Sequence, residues 1–180
     1  ITRVVNGPIP YAPDGLPLIG PMPGVPNAFE ACVFTFGIVQ AGGAGRLLAE
    51  MIVEGETESD SWAVDPRRFT DHVDQAYTTA KAIETYSHEY AMHFPQIQWP
   101  AGRKVKLSPL YDRLAAAGAE FGSYGGWERA DWFPKNGVDR HPANSYDRQH
   151  WFNTVGKECR HVAEHAGIIE LTGFSRFHLK

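Results

Sequence analysis

Gly37-Ile38-Val39-Gln40-Ala41-Gly42-Gly43-Ala44-Gly45-Arg46 follows an apolar stretch and opens a helical spacing of Leu47, Leu48, Met51, Ile52 and Val53. The pattern predicts a buried strand over residues 28–36, a glycine turn, and a helix over 44–53 that ends at Gly55. A strand-to-helix turn of this kind brings backbone N–H groups close to an anionic or electron-rich ligand. It is not a dinucleotide fingerprint, because neither G-x-G-x-x-G nor G-x-x-x-x-G-K-[ST] occurs in the chain. Composition leaves two readings of these glycines open, cofactor contact and close helix-on-strand packing.

Upstream, Asn6-Gly7-Pro8, Pro13-Asp14-Gly15, Gly20-Pro21, Pro23-Gly24 and Pro26-Asn27 are turn chemistry, preceded by a strand-like run at Ile1-Thr2-Arg3-Val4-Val5. Asp14 could touch a ligand, but Asp-Gly after Pro is also what a tight turn requires. Downstream, Val73, Ala76, Tyr77, Ala80, Ile83, Tyr86 and Tyr90 predict an amphipathic helix over 71–93 that ends before Pro95. Residues 95–106 read as a loop or linker. Ser108-Pro109 reads as an N-cap and first helical position for a helix over 110–117 that closes at Gly118. An aromatic-rich irregular stretch follows, with Phe121, Tyr124, Trp127, Trp132, Phe133, Tyr146, Trp151 and Phe152 either lining a pocket or filling a core. A last helix over 154–166 and strands over 168–171 and 174–179 complete the pattern.

The chain of 180 residues is 43% hydrophobic, long enough for one ordinary domain or parts of two. No apolar run approaches the roughly 20 residues of a membrane helix, and no secretory signal pattern occurs, so an intracellular compartment is expected. The net charge of −4 is mild and spread along the sequence, which argues against a nucleic-acid partner. Cys32 and Cys159 lack any C-x-x-C spacing and read as small buried hydrophobes. Both ends of the sequence look cut, which suggests a piece of a longer polypeptide.

His161-Val162-Ala163-Glu164-His165 matches the inverted zinc-protease pattern H-x-x-E-H. Five letters carry little specificity, and a third ligand would have to come from Glu170 or His178. A solvated amphipathic helix explains the same letters, and no metal site is expected. His88 and His93 do not share a helix face, and no G-x-S-x-G occurs.

Longer motifs carry a family resemblance. Asn6-Gly7-Pro8-Ile9-Pro10-Tyr11-Ala12-Pro13-Asp14-Gly15-Leu16-Pro17-Leu18-Ile19-Gly20-Pro21 and the run from Phe36 to Gly45 resemble the closing part of the flavin domain of dimethylglycine and sarcosine dehydrogenases. The resemblance continues through Asp65-Pro66-Arg67-Arg68-Phe69, Pro100-Ala101-Gly102-Arg103, Ser108-Pro109-Leu110-Tyr111, Gly126-Trp127-Glu128-Arg129 and Glu158-Cys159-Arg160, to Gly167-Ile168-Ile169-Glu170-Leu171-Thr172-Gly173-Phe174. It implies an α+β chain in three parts. Residues 1–64 would end an FAD-dependent oxidoreductase domain, 65–106 would form a central linking domain, and 107–180 would start a folate-binding, aminomethyltransferase-like domain.

The implied activity is oxidative demethylation of an N-methyl amine such as dimethylglycine or sarcosine, with FAD as cofactor and possible transfer of the one-carbon unit to tetrahydrofolate. The implied location is the cytoplasm or the mitochondrial matrix. The dinucleotide motif would lie upstream of Ile1 and the principal acidic residue of the folate site beyond Lys180, so no catalytic residue is assigned here and the segment alone is expected to be inactive and flavin-free. Expected partners are the rest of the same polypeptide or a flavin-domain subunit, with association into oligomers. By resemblance, Phe34, Thr35, Phe36, Gly37, Ile38 and Val39 form the loop against the flavin ring. The family usually has glycine where this sequence has Val33 and Thr35, side chains that narrow the site or shift the loop. The alternative is a noncatalytic binding subunit or a truncated product.

Overall fold

A computed structural model describes residues 2–135, 145–175 and 177–179. Helices and two antiparallel hairpins make the chain α+β, in two compact units, residues 1–91 and 92–180. No helix among the described residues is long and apolar enough to cross a membrane.

In the first unit, β1 (Leu18–Pro21) pairs antiparallel with β2 (Phe29–Cys32), Leu18 opposite Cys32 and Pro21 opposite Phe29. α1 (Gly37–Val53) packs on this hairpin through Ala44 and Met51, which are buried. Gly20 sits at the contact with φ +145°, where a Cβ would come within 3.2 Å of Pro66 Cδ and 3.4 Å of Met51 Sδ. No larger residue fits there without displacing the helix or the 66–68 turn.

Two expectations change here. The strand stops at Cys32 instead of running to residue 36, and the glycine run is the first half of α1 instead of a turn before it. Each helical glycine costs about 1 kcal/mol relative to alanine, so packing of Ala44 and Met51 overrides propensity. A Cβ at Gly42, Gly43 or Gly45 would meet nothing within 4 Å, so packing on the strand does not explain these glycines. The turn falls at Val33, a β-branched residue with φ +60°. That left-handed conformation is strained for valine.

α2 (Gln75–Ser87) is shorter than the 71–93 pattern predicts. The Asp74 carboxylate accepts from the Tyr77 N–H at 2.7 Å and caps its start. At its end the His88 ring bonds the Glu84 carbonyl at 2.7 Å, and the chain leaves the helix there. The proline-rich segment docks on α2 and the turn beyond it. Tyr11 donates to the Glu89 carboxylate and meets Tyr86 edge-on at 5.5 Å, and Thr85 Oγ1 donates to Pro13 O at 2.8 Å. Burial and the neighbouring Glu89 carboxylate hold the Tyr11 phenol well above its ordinary range, so it stays a donor. Residues 2–5 join no strand.

Several polar contacts of this unit converge on Arg68, whose side chain is 8% exposed. It grips Asp14 through Nε at 2.8 Å and Nη2 at 3.0 Å, and it donates to Leu16 O and Asp65 O. Asp14 also accepts from the Leu16 N–H at 3.1 Å. Asp14 is therefore a turn residue held by an arginine. Asp65, itself buried, caps the next turn by accepting from the Arg67 N–H at 2.8 Å.

The second unit is built on a hairpin that the aromatic composition conceals. β3 (Glu120–Tyr124) pairs with β4 (Trp127–Trp132) across Gly125 and Gly126, whose φ values of +58° and +83° suit a two-residue turn with positive φ at both positions. The predicted irregular stretch is thus sheet in its first half. α3 (Tyr111–Ala116) ends where expected, in a Schellman motif. Gly118 N–H bonds Ala115 O at 2.9 Å, Ala119 N–H bonds Leu114 O at 3.1 Å, and Gly118 has φ +87°. Ser108 does not cap the helix directly; its Oγ accepts from the N–H of Leu110, the residue just before α3, at 3.2 Å.

Trp132 is buried, and Tyr111 packs on Phe121 with ring centroids 4.6 Å apart, so part of the aromatic set is core. α4 (Phe152–Glu164) is tied to the hairpin by Glu158, which accepts from Phe133 N–H at 3.0 Å. The strands predicted over 168–171 and 174–179 are absent among the described residues, because no neighbouring strand pairs with their backbone. Arg129 instead lies between the Tyr124 and Phe174 rings, 5.0 and 4.9 Å from their centres. Cys159 is exposed and Cys32 only half-buried, contrary to the expectation that both are buried.

Glu128 is the anchor of this unit. It is buried, accepts from Arg103 Nε at 2.7 Å and Nη2 at 2.5 Å, and also accepts from the Lys104 N–H at 2.8 Å. Burial alone would raise its carboxyl, but these donors hold it below the ordinary glutamate value. A lowered folded value means the stability it contributes is present above about pH 4.3 and is lost as pH falls below that.

Glu128→Ala is expected to cost about 3 kcal/mol in urea unfolding, because it strands a half-buried guanidinium, and to flatten the acid limb of stability. An unchanged acid limb contradicts this role. Val33→Gly is expected to raise the urea midpoint by an amount equivalent to about 1 kcal/mol at constant m-value, through relief of the left-handed valine. A lower midpoint shows that Val33 contributes more through packing than its backbone costs.

Candidate functional site

The six residues 34–39 form one continuous turn in the structure, from the end of β2 into the first turn of α1. Val33 reverses the chain, Phe34 and Thr35 are half-buried, and Phe36 stands at the N-cap with φ −109° and ψ 52°. No side chain caps the helix, and no acidic residue lies in its first turn. Gln40 N–H, bonded to Phe36 O at 3.1 Å, opens the helical ladder. The N–H groups of Gly37, Ile38 and Val39 precede that bond and have no intrahelical acceptor to reach. The positive end of a 17-residue helix dipole therefore emerges in an apolar setting. Ile38 is 97% exposed and Val39 82%.

Two buried polar atoms in this turn have no hydrogen-bond partner, Thr35 Oγ1 and Gln40 Oε1. Gln40 is not among the residues the sequence singles out. Its signal was a polar side chain in the fourth position of an otherwise apolar first turn, since helical side chains lean back toward the N-terminus. The N–H donors at the helix end suit an anionic or electron-rich group, and the apolar side chains beside them are exposed. Gly37 offers no deeper cradle, because a Cβ there would lie 3.7 Å from Phe34 Cβ, an ordinary contact.

Nearby nucleophilic chemistry is weak. Cys32 Sγ lies 3.5 Å from Glu30 Oε2, and burial together with that carboxylate pushes the thiol up. It is held in the protonated, unreactive form. In the other unit, His161 and His165 stack with ring centres 4.6 Å apart on the exposed last turn of α4. No group of three or more His, Cys, Asp or Glu side chains converges among the described residues.

Comparison with known proteins gives these sites a context. Residues 54–108 match the family model described as FAD dependent oxidoreductase central domain, and residues 110–180 match the GCVT N-terminal domain. The whole chain aligns with dimethylglycine dehydrogenase of Mus musculus at 39% identity, covering 21% of that protein. It aligns over 99% of its length with sarcosine dehydrogenase of Homo sapiens at 30% identity, covering 22% of that protein. Over 99% of its length it is also 29% identical to the pyruvate dehydrogenase phosphatase regulatory subunit of Mus musculus, covering 21% of that protein. The chain thus spans about a fifth of the length of the curated relatives it matches. With an oxidoreductase central domain followed directly by a GCVT N-terminal domain, and similarity along the full sequence, the chain resembles an internal part of the dimethylglycine and sarcosine dehydrogenase family.

Proposed function

We propose that these residues belong to an FAD-dependent dehydrogenase or oxidase that demethylates an N-methyl amine such as dimethylglycine or sarcosine. The observation that carries this reading is the identity of 39% to dimethylglycine dehydrogenase across all of the chain. The geometry of residues 34–39 supports it. When bound, the flavin supplies the acceptor for a hydride equivalent removed from the N-methyl carbon, which leaves an iminium on the substrate. The chain contributes the surroundings of that acceptor. The first-turn N–H groups of α1 favour negative charge beside them.

The rest of the polypeptide, or a flavin-domain subunit, covers α1. Ile38, Gly42, Gly45, Ala49 and Ile52 recur at helical spacing on one exposed face of α1, and an apolar stripe of this length is a surface that another part of the polypeptide covers. The GCVT match supports tetrahydrofolate as acceptor of the one-carbon unit. Both dehydrogenase relatives are mitochondrial proteins, which favours a mitochondrial location, the matrix, for this one. A second reading, a noncatalytic subunit that keeps the fold, is favoured by the similarity to the phosphatase regulatory subunit.

Anaerobic titration separates the two readings. Addition of dimethylglycine or sarcosine to the native polypeptide is expected to bleach its visible flavin band, while glycine, which has no N-methyl group, leaves the band unchanged. A flavin band untouched by any N-methyl amine contradicts the enzyme and favours the noncatalytic subunit.

A further inference from the structure

We propose that His161 and His165, side by side at the end of α4, form a two-histidine chelate for Zn²⁺, a role independent of the flavin reading above. The two rings stack with centres 4.6 Å apart and planes within 11° of parallel. The His165 N–H still bonds the His161 carbonyl at 2.8 Å, so the helical ladder fixes the spacing of the pair on one face. Both residues are exposed. Other histidines are engaged elsewhere: His72 with Thr70 Oγ1, His88 with the Glu84 carbonyl, and His150 and His93 edge-on against Trp132 and Trp99. Among the described residues, neither ring of the α4 pair has a hydrogen-bond partner.

Ligand chemistry selects the ion. Imidazole nitrogen suits zinc and its neighbours copper and nickel, whereas Mg²⁺ and Ca²⁺ take oxygen ligands. Two nitrogens that share one tetrahedral zinc stand about 3.4 Å apart, given Zn–N bonds of about 2.0–2.1 Å. Rings with centres 4.6 Å apart reach that separation by small rotations, which exposed side chains are free to make. The C-terminal end of a helix carries partial negative charge that favours a cation, and Glu164 on the same turn adds a carboxylate. No third protein ligand converges among the described residues, so water completes the coordination. The pair is therefore not the three-ligand catalytic centre of the H-x-x-E-H pattern. It is a clasp on the last turn of α4, where the chain leaves the helix.

The test titrates Zn²⁺ into the native polypeptide, first freed of metal by a chelator, and follows the heat of binding and the urea midpoint. Wild type is expected to bind the ion and to unfold at a higher midpoint with Zn²⁺ than without. His161→Ala and His165→Ala are each expected to weaken binding by at least about tenfold, the loss that removal of even an outer partner of a metal ligand causes. Both variants are expected to keep the wild-type midpoint without metal, because both residues are exposed, and to lose the rise that Zn²⁺ brings. A pair of register variants tests the geometry itself. His165→Ala combined with Glu164→His puts the second histidine three residues from His161, on the same face, and is expected to regain binding. His165→Ala combined with Ala166→His puts it five residues away, off that face, and is expected not to. The proposal is overturned by a wild type that takes up no Zn²⁺, by uptake that survives either single replacement, or by equal recovery in both register variants.

Discussion

A guanidinium keeps its charge at any pH a protein meets, so burying one commits the surrounding chain to supply acceptors in fixed places. Each unit of this chain is organised by one such commitment. Arg68 draws Asp14, Leu16 O and Asp65 O into one cluster, which holds the proline-rich segment against the 66–68 turn over long sequence separations. Arg103 does the same for the hairpin, with both Glu128 oxygens and Phe121 O as acceptors. In both cases the carboxylate partner also accepts from a nearby backbone N–H, Leu16 for Asp14 and Lys104 for Glu128. A loop conformation is thereby tied to the ion pair, and neither pair is a surface ornament of the kind that contributes little.

The polar cluster around Arg68 is closed within the first unit, while the unit's longest helix is only partly covered. α1 buries Ala44 and Met51 but leaves Ile38, Val39, Ile52 and Val53 largely in solvent, and its N-terminus is uncapped beside two unpaired buried oxygens. These features fit together if α1 is a supporting element whose outer face and leading end belong to a cofactor site completed elsewhere in the polypeptide. The strain at Val33 lies at the entrance to the same turn, and strained backbone recurs where a ligand fixes the chain's course.

Much of this was legible in the sequence, for identifiable reasons. The end of α3 was readable because glycine after an alanine run fits the left-handed position that a Schellman motif needs, and Gly118 occupies it. The start of α1 was not, because glycine propensity argues for a turn where tertiary packing of Ala44 and Met51 decides for a helix. The β3–β4 hairpin was hidden by its aromatic composition, although Gly125-Gly126 between Tyr124 and Trp127 is a recognised two-residue hairpin signal. Residues 168–171 are apolar enough for a strand, but composition records only a tendency, and a strand exists when another strand pairs with it. Residues 34–39 came from family resemblance; Gln40 came only from the structure, because an unpaired buried atom has no signature in a sequence.

Visible absorption of the native polypeptide that carries these residues, recorded together with its intact mass, tests the central claim most directly. A flavin spectrum on a chain much larger than 20.0 kDa is the expected result and makes α1 a wall of a working flavin site. A colourless protein that stays colourless when saturated with FAD would contradict it, and would leave a family fold in which the α1 face serves assembly alone.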